Sequence, residues 1–151
     1  DLLIGMDVIR AEETRYNIHK TAVEFQRNGD YVSAEKVYRD ALLIYPNNPG
    51  MILGLGGVLA LQGRAEEAVE LMERGLPLSE NEKQKATTRA ALCFLYLKCG
   101  KREKANALAA SLPHARESRE AVCPLISQNP SAAEIDMNVK NILLGDGKEI
   151  R

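Results

Sequence analysis

Residues 49–72, PGMILGLGGVLALQGRAEEAVELM, read as two short helices hinged at Gly63 and Arg64. Asn48 can cap the first helix, and Pro49 occupies its first turn, where a missing N–H costs nothing. Ile52, Leu55, Gly56 and Leu59 recur at helical spacing before the hinge, and Ala68 and Met72 continue the pattern after it. The rest of the chain repeats this unit imperfectly. Gly63 follows Gly29 by 34 residues and Ala68 follows Ala34 by 34, so one period holds at two independent positions. Glycine suits the hinge because a residue there commonly needs positive φ. Alanine suits the crossing because a small side chain lets paired helices approach closely.

The upstream unit spans about residues 15–48. Ile18, Ala22 and Phe25 form one apolar stripe, Asn28–Tyr31 makes the turn, Ala34, Val37, Tyr38, Ala41 and Leu42 form the second stripe, and Pro46 ends it. The central unit spans 49–82, and Ser79 with Glu82 has the capping-box spacing for the next helix. The downstream unit spans 86–114, with Leu92, Cys93 and Tyr96 before a turn at Gly100 and Ala105 after it. Gly100 and Ala105 lie 37 residues after Gly63 and Ala68, so three extra residues near Asn81–Lys85 are expected to lengthen that helix by nearly a turn. Its second helix stops at Pro113, and Cys93 takes the small crossing position held by Ala22 and Gly56 in the other units. Residues 1–14 are predicted to be an N-terminal arm or a capping helix over the first unit. Residues 115–145 read as a degenerate fourth repeat or as capping helices. One is interrupted near Pro124; the other opens at the pair Ser131 and Glu134, with Ile135, Val139, Ile142 and Leu143 on one face. Residues 146–151 are predicted to fray.

Bulk properties fit a single domain or short solenoid. The chain has 151 residues, 45% of them hydrophobic and 27% charged, which excludes a disordered polar chain. Its 20 basic and 21 acidic side chains nearly cancel, so no global field favours nucleic acid or an anionic membrane. Residues 41–62 carry no charge, yet Pro46, Asn47, Asn48 and Pro49 interrupt the run before a membrane-spanning length is reached. Cys93, Cys99 and Cys123 lack CxxC spacing, which points to reduced thiols in a cytoplasmic protein and not to a disulfide framework or zinc site. Asp1 opens the chain without a basic region or an initiator Met, so no signal peptide is read and an excised or processed form is expected.

With Ile and Leu standing in for aromatics, the residues quoted above resemble the tetratricopeptide repeat over about Arg15–His114. The resemblance implies an all-α fold, a right-handed α-α superhelix of helix-turn-helix repeats with a C-terminal helical cap. It further implies a non-enzymatic scaffold whose first helices line a concave groove for a peptide or partner helix. Aligning the turn glycines places in that groove Tyr16, His19, Lys20, Val23 and Arg27 from the first unit and Leu53, Gly54, Gly57, Ala60 and Leu61 from the second. The third contributes Ala90, Ala91, Phe94, Leu97 and Lys98. The family's clamp of Lys, Asn and Arg for a peptide C-terminus is absent, since the matching positions hold His19, Val23, Gly54, Thr87 and Ala91. An apolar middle edged by His19, Lys20, Arg27 and Lys98 suits an amphipathic helix, or an extended apolar peptide with a few acidic residues. The alternatives are that the groove is closed by residues 1–9, by the C-terminal helix, or by a second copy in a homodimer. The stretch LGLGGVLALQG also resembles chaperones of type III secretion translocators, which hold apolar client segments. The run LCFLYLKCGKREKANALAASLP with SRE at 118–120 is similar to C-terminal repeat domains of bacterial helix-turn-helix regulators, which implies a self-association role.

No catalytic constellation, metal set or cofactor motif is expected. His19 and His114 sit in no metal pattern, and Gly54, Gly56 and Gly57 lie in a helical pattern without the preceding strand that a phosphate loop needs. Adjacent pairs such as Glu66 and Glu67 splay apart on a helix and make no carboxylate dyad. The basic cluster Lys98, Lys101, Arg102 and Lys104 lacks the aromatic neighbours of a nucleic-acid surface and reads as a solvated turn, so a protein or peptide is the expected partner.

Overall fold

Gly29, Gly63 and Gly100 close three helix ends in the same way. Each has positive φ, of 79°, 79° and 74°. The next residue's N–H reaches back five positions: Asp30 to Phe25, Arg64 to Leu59 and Lys101 to Tyr96, at 2.9, 2.9 and 2.8 Å between N and O. The glycine's own N–H reaches back three, to Gln26, Ala60 and Leu97. This paired bond pattern satisfies the last carbonyls of a helix, and it needs a left-handed residue that glycine supplies without strain. The period in the sequence is thus a period in hydrogen bonds.

A computed structural model describes residues 2–113 and 119–145; His114, Ser118 and the 146–151 tail fall outside the described residues. Eight α-helices follow in order: α1 (Leu2–Arg27), α2 (Tyr31–Ile44), α3 (Pro49–Leu61), α4 (Ala65–Gly75), α5 (Glu82–Lys98), α6 (Arg102–Ser111), α7 (Arg119–Ser127) and α8 (Ala132–Leu144). A 3₁₀ turn at Leu76–Leu78 follows α4, and there is no strand among the described residues. Antiparallel pairs α1–α2, α3–α4 and α5–α6 stack side by side in an all-α superhelical repeat fold. Ala34, Ala68 and Ala105 are fully buried at equivalent crossings, as are Ala22 and Cys93.

α3 is the hub. It touches α1, α2, α4, α5 and α8, and every residue from Met51 to Ala60 except Gly54 is buried. A helix enclosed on all sides cannot carry charge, which explains why the uncharged run falls here. Its glycines thin it on separate flanks, each for a different neighbour. A Cβ on Gly54 would lie 2.4 Å from Tyr38 Cζ of α2, one on Gly56 3.1 Å from Met72 Cγ of α4, and one on Gly57 3.7 Å from Leu143 of α8.

Several local expectations need correction. No separate arm or capping helix forms at the N-terminus, because α1 is one unbroken helix of 26 residues. RAEETRYNIHK contains no Pro or Gly to stop it. Asn81, not Ser79, caps α5: its side chain accepts from the Gln84 N–H, while Ser79 Oγ accepts from the Asn81 N–H. α5 has 17 residues against 13 in α3, so the extra residues do extend the helix. Helix α7 runs through Pro124, held by the buried side chains of Val122 and Ile126.

Glu35 ties the first two pairs together. Its carboxylate accepts from Arg39 Nε at 2.7 Å, Gln62 Nε2 at 2.8 Å and Arg64 at 2.8 Å, linking α2 to the α3–α4 turn. Partial burial alone would raise its pKa, but these hydrogen bonds outweigh it and bring the value down to about 2. A carboxylate held below its ordinary range stabilises the fold above the unfolded value near 4.5, and the contribution disappears as pH falls towards 2. Glu35→Gln is therefore expected to cost about 1.5 kcal/mol at pH 7, with the difference from wild type closing between pH 4.5 and 2 in urea titrations.

Candidate peptide groove on the concave face

The first helices of the three pairs, α1, α3 and α5, line the inner face. Part of that face is open and part is filled. The open part is a cleft of about 280 Å³ bounded by His19, Val23 and Gln26 of α1, Tyr38 of α2, Leu53, Gly54 and Gly57 of α3, and Lys83, Gln84, Thr87 and Thr88 of α5, with Asn81 and Leu143 at its edges. Tyr38 is 1% exposed and passes over the bare backbone of Gly54. There its hydroxyl lies 3.0 Å from His19 Nδ1, a hydrogen bond across the cleft floor. His19 keeps one exposed side, yet partial burial lowers its pKa below the ordinary imidazole value. Burial likewise raises the Tyr38 hydroxyl, which stays protonated.

The cleft contains no acidic side chain. Lys83 is exposed at its rim, and Gln26, Asn81, Gln84 and Thr87 offer donors around an apolar floor. Such a lining can seat an extended backbone or an apolar side chain beside a carboxylate. No group of three metal-ligating side chains occurs among the described residues.

The filled part is covered by α8. After the capping box at Ser131 and Glu134, with bonds of 3.2 and 3.3 Å, α8 turns onto α5 and reaches α3 instead of pairing with α7 as a repeat helix would. It buries Ile135, Asn138 and Val139, and Asp136 pairs with Lys98. The residues expected in the groove therefore separate into four groups. His19, Val23, Leu53, Gly54 and Gly57 border the open cleft. Ala60 and Leu61 lie against α8 beside a second hollow of about 290 Å³ shared with Asp136, Val139 and Lys140. Ala90, Ala91 and Phe94 are buried, and Leu97 and Lys98 are half-buried. Lys20 and Arg27 are exposed flanking charges, and Tyr16 is 68% exposed further up α1.

Sequence reasoning missed the roles of Tyr38 and α8. Tyr38 reads as an ordinary core position of a second helix, and only its pairing with Gly54 across 16 positions marks it as part of the floor. The amphipathic pattern of 131–144 gives a helix with one apolar face. It does not say against what that face packs.

Residues 26–84, the end of α1 through the start of α5, match the family described as tetratricopeptide repeat. Over that stretch the chain carries tetratricopeptide repeats. It is also 42% identical over 65 residues to cellulose synthase operon protein C of Xanthomonas axonopodis pv. citri (strain 306). That match covers 43% of this chain and 4% of the relative's length, so the chain spans a small fraction of the protein it resembles. Tetratricopeptide repeats generally mediate protein–protein interaction. No described helix is long and apolar enough to cross a membrane.

Proposed function

We propose that this chain is a non-enzymatic interaction module whose concave face, entered through the cleft at His19, Val23, Gly54 and Thr87, takes a peptide or amphipathic helix carrying a few acidic residues. The observation that carries the reading is the cleft's composition: an apolar floor, a rim of amide and hydroxyl donors, Lys83, and no acid. The repeat division 15–48, 49–82 and 86–114 belongs to the same reading, with residues 115–145 closing the array. The free thiols Cys93, Cys99 and Cys123 suit a reducing cytoplasm.

Val23 and Thr87 are half-buried cleft residues, so acidic substitutions there change the ligand surface with little effect on the core. Val23→Glu and Thr87→Glu are expected to weaken capture of acidic amphipathic peptides from an array by about tenfold or more, with unchanged thermal midpoint. Full retention of binding by both variants would contradict the reading.

Self-association is a second reading, favoured by an exposed stripe on α1. Met6, Ile9 and Tyr16 are 44%, 55% and 68% exposed, and their spacing puts them on one face. Light scattering that shows a monomer up to millimolar concentration would remove it.

A further inference from the structure

The described groove is not empty along its whole length, and its occupant belongs to the chain itself. α8 has the features of a self-contained ligand helix. Its N-terminus is satisfied by its own capping box, and its C-terminus ends on Gly145 in the left-handed conformation, with φ 57°. It therefore needs no neighbour to satisfy either end. It is joined to α7 by a short link in which Asn129 has positive φ, 51°, before Pro130. Its seat is imperfect. The 290 Å³ hollow opens between α8 and the end of α3, and the 280 Å³ cleft opens where Leu143 ends its cover of Gly57. Both openings lie along the seam between α3 and α8, at the two ends of the cover that α8 gives. The contacts α8 makes are those expected of a docked amphipathic helix: apolar anchors Ile135, Val139 and Leu143 at helical spacing, and an acid, Asp136, on the basic side chain Lys98.

We propose that α8 is a built-in occupant of the concave groove, and that the external partner is an amphipathic helix of the same pattern, with an acid following the first of three apolar anchors, which binds by displacing α8 about Asn129 and Pro130. This deepens the interaction-module reading and rests on it. The tethered helix sets the affinity, because a segment joined by four residues competes at an effective concentration in the millimolar range. Only a helix that matches the α3–α5 surface better than α8 itself gains entry, which makes α8 a filter against weak apolar binders.

Two measurements on the full chain test this. In native-state hydrogen exchange of the wild-type protein, α8 amides should exchange at least about tenfold faster than those of α3 and α5, because displacement is a local opening. Equal protection in α8 and α5 would make α8 a fixed part of the core and overturn the proposal, while leaving the cleft substitutions Val23→Glu and Thr87→Glu free to support or refute the broader reading. In fluorescence anisotropy, a labelled synthetic peptide of residues 131–145 should bind the Val139→Asp protein at least about tenfold more tightly than wild type. Adding Lys98→Glu should weaken that binding several-fold, and a peptide carrying Asp136→Lys should recover it. A Val139→Asp protein that keeps its helical circular dichroism yet binds the peptide no better than wild type would overturn the proposal; if that variant unfolds, the exchange experiment decides alone. A wild-type dimer that exchanges α8 between copies would assign the groove to a second copy and overturn the external partner.

Discussion

Replacing Phe94 with alanine is expected to lower the thermal midpoint by about 10 °C, a loss of about 3–5 kcal/mol, because a fully buried aromatic leaves a cavity that its surroundings cannot close. Alignment of the turn glycines places Phe94 on the groove wall, where a ligand would meet it. The structure places it at 0% exposure in the core that runs through α3 and α5. The two placements predict different outcomes. A groove residue waiting for its ligand would change stability by less than about 1 kcal/mol when truncated and would show its effect in binding alone. A core residue shows its effect in the unfolding midpoint of the free chain. Differential scanning calorimetry of the unliganded variant separates them, and a shift under 3 °C would return Phe94 to the groove surface.

The second large effect is at Gly54. Alanine is a better helix former than glycine by about 1 kcal/mol, so on propensity alone Gly54→Ala would stabilise α3. The Cβ, however, would lie 2.4 and 2.6 Å from ring carbons of Tyr38 and 2.8 Å from its hydroxyl oxygen. These are atoms of a rigid ring that is itself buried, so it cannot yield as a flexible chain end would. Overpacking of this kind reverses the sign, giving a net loss of about 2 kcal/mol, and it pushes the hydroxyl off His19. A double-mutant cycle isolates the contact. In a Tyr38→Ala background the clash is gone, and Gly54→Ala should become neutral or slightly stabilising, a coupling of about 2–3 kcal/mol. Additive effects would mean that Tyr38 does not cross α3 at Gly54.

The sequence discloses the repeat because the repeat is enforced locally. A left-handed residue is needed at each of Gly29, Gly63 and Gly100, and a small one at Ala34, Ala68 and Ala105, so the period survives even where the aromatic signature positions do not. Helix ends governed by one side chain, such as Asn48 and the pair Ser131 and Glu134, are also legible. The start of α5 is less so, because Ser79 and Asn81, two residues apart, are both able to cap it, and only the path of the chain after the 3₁₀ turn decides between them. Least legible is how much of the groove is open. The turn alignment treats each repeat alone, so it cannot register a later segment that returns to the first helices, as α8 does to α5 and α3. Lys98 illustrates the point: by composition it is a free basic edge of the groove, and in the fold it is paired with Asp136, 38 residues on.

That pair also gives the most direct check on the account's central claim, that α8 lies in the concave groove over α5 and α3. Zero-length carbodiimide coupling joins a lysine amine to a carboxylate only where the two are in contact. In the wild-type chain, peptide mapping by mass spectrometry should find Lys98 joined to Asp136 as a major intramolecular product, and the product should disappear in Asp136→Asn. Coupling of Lys98 to carboxylates outside α8, with Asp136 left unmodified, would place α8 away from the groove and contradict the account.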